Sequence, residues 1–178
     1  MLPSRDEVIE LGKKYNNDEN LYKHALAVEA AMRHFAELKG GDADEWGKIV
    51  FIHNLDYQQF PDEHCKKTKE ILDAEGWPEY AVRAIMSHGW GLCTDVEPLT
   101  DMEKALFAVD ELTGFVIACA LVRPSKSVDD LEVKSVKKKW KSPAFAAVVD
   151  RALVEKGAAM LGMTFEELAA AVITALRK

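Results

Sequence analysis

Leu21, Ala25, Val28, Met32 and Phe35 recur at steps of three and four residues, which predicts an amphipathic helix over residues 18–38. The same period runs through Trp46, Ile49, Val50 and Ile52, and again through an apolar stretch from about Thr100 to Ala120. Polar punctuation falls where helix starts are expected. Ser4–Glu7, Thr100–Glu103 and Thr164–Glu167 each place a hydroxyl three residues before a glutamate, the arrangement of a capping box. Gly40-Gly41 closes the long second helix and Asp42 can cap the third. Further helices are predicted from about Glu63 to Ala74, from Pro78 to Ser87 or His88, in the basic stretch after Pro124, from Ser142-Pro143, and at the C-terminus. No run alternates as a strand would, so the expected fold class is all-α.

At 178 residues, with no repeat, linker or low-complexity tract, the chain reads as one helical domain over 1–178. Within it a core of about 18–122 and a C-terminal helical extension of about 123–178 are expected. The N-terminus carries no basic-then-apolar targeting pattern, and the apolar run Phe115–Val122 is short of the roughly 20 residues a membrane crossing needs. A soluble, cytoplasmic protein with no membrane partner is the expectation. Cys65, Cys93 and Cys119, odd in number and without a C-x-x-C pair, suit reduced thiols rather than a disulfide framework or a zinc ribbon.

The net charge of −7 is uneven: seven Lys/Arg against three acids leave residues 123–141 at +4 and the remainder at −11. An acidic body argues against binding a nucleic-acid polymer. The basic segment could attract a small anionic substrate, and an ordinary solvated lysine face accounts for it equally well.

The candidate chemistry gathers around Phe51-Ile-His-Asn-Leu-Asp-Tyr57, where an apolar helix ends in an imidazole, a carboxamide and a carboxylate. His24 lies on or beside the apolar face of the second helix; His34, ten residues on, is expected at the surface. His64 and His88 stand at predicted element ends, where side chains can converge. Asp110 interrupts Ala105-Leu-Phe-Ala-Val109, and a carboxylate in so apolar a helix should be paired or metal-bound, because a bare buried charge is costly. Asp56 is either an orienting carboxylate or a turn residue.

Taken together, His24, His53-Asn54, His64, His88 and Asp110 resemble the H…HD…H…H…D pattern of the HD superfamily of metal-dependent phosphohydrolases. The resemblance runs through the whole chain and is nearest the stand-alone predicted HD hydrolases. It is carried by His53-Asn-Leu-Asp-Tyr57, Pro61-Asp-Glu-His64-Cys65, Ser87-His88-Gly-Trp, Asp110-Glu-Leu-Thr-Gly114 and Ala120-Leu-Val-Arg-Pro-Ser-Lys126. It implies a single-domain helical bundle with His24, His53 and Asp110 on one metal and His64 and His88 completing a second position. The doublet's second residue would bridge the two.

That residue is Asn54 here, not Asp. A carboxamide offers one neutral oxygen and turns N–H donors toward a cation, so metal affinity and water activation should fall. Two origins fit, an inactivating exchange made to trap a ligand and a natural loss of the carboxylate; the otherwise intact pattern favours the first.

The implied function is hydrolysis of a small phosphate ester or nucleotide, weakened or abolished by Asn54. Asn54 and Asp56 are the catalytic candidates, and Arg123, Lys126, Lys134 and Lys137 the candidates for holding the substrate anion. The cofactor would be one or two ions of Mn, Fe, Co, Ni, Zn or Mg. A mixed-valent di-iron oxygenase of the same superfamily and a non-catalytic ligand-binding module are the alternatives.

Overall fold

Two 21-residue helices, α2 (Glu19–Lys39) and α6 (Asp101–Leu121), pack against each other at the centre of the computed structural model, which describes residues 1–178. Around them lie α1 (Arg5–Tyr15), α3 (Ala43–Phe51), α4 (Lys66–Ala74), α5 (Glu79–Ser87), α7 (Val133–Trp140), α8 (Arg151–Met160) and α9 (Phe165–Leu176). There are no strands, and no single helix is long and apolar enough to cross a membrane.

The helix starts follow the local chemistry. All three capping boxes form: each hydroxyl accepts the N–H three residues on, and each glutamate accepts the N–H of its capping residue. Asp18 and Asp42 cap α2 and α3 in the simpler way, their carboxylates accepting N–H groups of the first turn. Each cap also puts negative charge at the positive end of a helix dipole.

The core is continuous. Val28, Met32 and Phe35 of α2 meet Leu106, Leu112 and Phe115 of α6 in a cluster of 42 buried residues that draws on every helix. The expected C-terminal extension is therefore part of the same body: α8 packs on α6, and α9 on both α2 and α6. Gly157 lets α8 come close, because a Cβ there would lie 2.6 Å from the Ala108 Cα. Glu29, buried on α2, is held by Arg5 (2.9 Å) and Arg33 (3.0 Å).

Two predicted elements differ. Residues 61–63 form a separate turn of 3-10 helix, and α4 begins only at Lys66, because Cys65 takes a left-handed backbone (φ 70°) that a continuous helix cannot contain. Ser142-Pro143 starts no helix either. Residues 141–149 run in turns, gathered by the guanidinium of Arg151, which donates to the carbonyls of Trp140 (2.9 Å), Ser142 (3.0 Å) and Phe145 (2.7 Å). Those carbonyls are taken by a side chain, and the helix starts later, at the Asp150 cap.

Candidate metal centre

α2, α6 and the end of α3 bring three donors to one point. His24 Nε2 lies 2.9 Å from Asp110 Oδ1, and His53 Nε2 lies 3.0 Å from the same oxygen. His53 is wholly buried just past the end of α3, and its Nδ1 donates to the Val50 carbonyl at 2.7 Å. A carbonyl can only accept, so this bond fixes the proton on Nδ1 and aims Nε2 at the cluster.

His88 is held in the same way at the C-terminus of α5, its Nδ1 donating to the Ile85 carbonyl. His64 Nδ1 instead meets Asp56 Oδ1 at 2.7 Å. Asp56 is itself fixed: its Oδ2 accepts the Thr68 N–H at 2.9 Å, and its own N–H donates to the Thr68 hydroxyl. The carboxylate has no solvent exposure and does not line the cavity; it is an orienting group acting through His64.

The four rings form a row, His24–His53–His88–His64, with centroids 5.3, 5.1 and 5.3 Å apart. At its far end the ε-nitrogens of His64 and His88 face each other at 3.2 Å. With both δ-nitrogens donating elsewhere, the neutral rings would oppose two lone pairs there. A proton on His64 Nε2 or a metal ion between the rings removes the repulsion, and both ε-nitrogens are placed as metal donors. The ligand atoms of His24, His53 and Asp110 also lie within 4.8 Å of one another, close enough to share one ion.

The electrostatics follow the same contacts. Burial works against charge on Asp110, yet His53 and His24 together hold its carboxyl well below the usual carboxylate range. Burial also opposes charge on His24 and His64, but the paired carboxylates, Asp110 and Asp56, outweigh it and lift both imidazoles above their ordinary value. His88 has no such partner, and burial, aided by His53, brings it down to about 4.

A cavity of about 420 Å³ opens over the row, lined by His24, Asn54, Tyr57, His64, His88 and Asp110. Asn54, expected as the bridging residue, is among the lining residues, and its backbone carbonyl accepts from Asn16 Nδ2 at 3.0 Å. Glu111, Val148 and Val149 also line it, and sequence reasoning gave none of them a role. Glu111 could have been suspected as the neighbour of Asp110. The valines belong to the segment expected to be helical, so nothing local marked them.

The four basic candidates lie elsewhere. Leu121, at the end of α6, is eleven residues past Asp110, about 16 Å along the axis, and the basic segment begins only beyond it. Arg123 pairs with Asp130 (3.1 Å), Lys134 with Glu132 (2.7 Å) and Lys137 with Glu166, while Lys126 is exposed; none lines the cavity. His34 is also apart, beside Lys178 and Glu37. No family model, no curated protein and no solved structure matches this chain.

Proposed function

We propose that this chain is a metal-dependent hydrolase of small phosphate esters or nucleotides, built on an HD-type donor set in which Asn54 replaces the usual carboxylate. The observation that carries the reading is the meeting of the His24 and His53 ε-nitrogens on one oxygen of Asp110. Three elements distant in sequence supply these groups, and carbonyl and carboxylate partners fix His53, His64 and His88 so that Nε2 is the free donor. That pattern of outer support is typical of histidine ligands.

Divalent ions bound here would neutralise phosphoryl oxygens and lower the pKa of water at the reaction centre. His24, His53 and Asp110 would hold the first ion, and His64 with His88 the second. Asn54 Nδ2 can donate to a substrate oxygen, and its neutral carboxamide leaves the site one negative charge short. Glu111, whose carboxyl is raised by burial, stands at the cavity wall with one oxygen accepting the Asp150 N–H, and its proton would be available to a bound substrate. At about 420 Å³ the cavity is of small-ligand size.

The test is metal analysis of the chain beside Asn54→Asp, followed by a phosphate-release screen over nucleotides and small phosphate esters with Mn²⁺ and Mg²⁺. Asn54→Asp should retain more metal and release phosphate faster, and His53→Ala should retain none. An iron-loaded Asn54→Asp protein with a mixed-valent EPR signal and no phosphate release would replace hydrolysis with oxygenase chemistry. Metal retention without any activity would leave a binding module.

A further inference from the structure

Beside the histidine row, and used by none of the chemistry above, two cysteines 28 positions apart in sequence bring their sulfurs to 2.6 Å. Cys65 is fully buried, follows His64 directly, and sits at the left-handed backbone position that precedes α4. Cys93 is exposed, on the loop that follows His88. The loop is folded back by the Gly89 carbonyl, which accepts the N–H groups of Leu92 (2.9 Å), Cys93 (2.9 Å) and Thr94 (3.1 Å). Gly89 also makes room for the pair, since a Cβ there would lie 2.3 Å from Cys93 Sγ and 2.8 Å from Cys65 Sγ.

Cys93 opens into a second cavity, of about 590 Å³, separate from the one over the histidines. Trp77, Val82 and Met86 give it an apolar side; on its polar side Lys66, Lys69 and Arg83 outnumber Asp73 and Glu79, and Lys69 is paired with Asp73. A small anionic molecule with an apolar body can therefore reach one sulfur of the pair, and only that one.

We propose that Cys65 and Cys93 are a redox-active dithiol that exchanges with a low-molecular-weight anionic disulfide entering this second cavity. The Cys93 thiolate attacks one sulfur of the small disulfide, forming a mixed disulfide and releasing one thiolate. The Cys65 thiolate then attacks Cys93 Sγ, releasing the second and closing the Cys65–Cys93 bond. The two protons given up by the protein thiols end on the two released thiols. The protein dithiol is oxidised by two electrons, and the small disulfide is reduced by two.

His64, Cys65 and Cys93 also lie within ligand reach of one another. A shared ion explains the pair less well. Two thiolates on one tetrahedral zinc at about 2.3 Å each stand about 3.8 Å apart, well beyond the separation seen here. Of the two His64 nitrogens, Nδ1 is taken by Asp56 and Nε2 faces His88 at the position proposed above.

The test uses the full chain with oxidised glutathione as the probe, read by free-thiol counting and by mass mapping of peptides. The wild type should fall from three free thiols to one, with Cys65 linked to Cys93 and no glutathione retained. Cys65→Ser should keep one glutathione on Cys93, because nothing resolves the mixed disulfide. Cys93→Ser should keep both remaining thiols, since Cys65 and Cys119 are buried. Three thiols surviving in the wild type, glutathione persisting on its Cys93, or a link through Cys119 would each overturn the proposal.

Discussion

The ε-nitrogens of His64 and His88 face each other across 3.2 Å, while the δ-nitrogen of each is already donating, one to Asp56 and one to the Ile85 carbonyl. Neither ring can turn away without breaking its Nδ1 hydrogen bond. The gap between them is therefore a fixed place for a positive charge, and several predictions rest on what holds it open.

Asp56→Asn keeps the size of the side chain but removes the charge that orients His64. Affinity at the His64/His88 position should fall by about 10- to 100-fold, the usual effect of losing an orienting partner. The His24/His53/Asp110 position should change little. Titration of the full chain with Mn²⁺ or Co²⁺, resolving two binding events, separates the effects; equal weakening of both would contradict this role.

Metal binding should begin to weaken, as pH falls, above the ordinary imidazole range, because His24 and His64 hold protons more tightly than an ordinary imidazole and a metal must displace those protons. The sign is fixed by the competition: a raised imidazole pKa means a proton is bound at higher pH and is lost as pH rises. His88, drawn down to about 4, adds no proton release above that range. Calorimetry in two buffers of different ionisation enthalpy would count the protons released.

Arg123→Ala and Lys126→Ala should leave KM for an anionic phosphate ester within about twofold, since neither side chain lines the cavity over the histidines. A tenfold rise in KM would mean that the basic segment reaches the substrate after all.

Gly157→Ala should destabilise the fold by about 1–3 kcal/mol, the cost of forcing a methyl into a filled contact, here against the Ala108 backbone. Because Ala108 lies two residues before Asp110 on α6, the variant should also lose metal affinity. Urea unfolding of the metal-free protein measures the first effect, and metal titration the second.

Glu29→Ala removes the acceptor for Arg5 and Arg33 and should cost about 2 kcal/mol. The two freed guanidinium groups can turn to solvent, which keeps the loss below that of an orphaned buried charge. Metal affinity should not change, which distinguishes this residue from those of the centre.

Much of the architecture was written locally. Three capping boxes, the Asp42 cap and the apolar periods of α2 and α6 place most helices within a residue or two, because a helix start is decided by hydrogen bonds among neighbours. The carboxylate of Asp110, set in the apolar middle of a helix, also signalled a partner from composition alone, since its burial has to be compensated. Tertiary structure decided the rest. That His24 and His53 share one oxygen of Asp110, that Asp56 serves His64 from outside the cavity, and that Cys65 meets Cys93 are contacts between residues far apart in the chain. Local propensity and spacing carry no information about which helix faces which. The turns at 141–149 and the remoteness of Arg123 and its neighbours follow from the same cause, because only the packed molecule determines where Arg151 reaches and where α6 ends relative to the cavity.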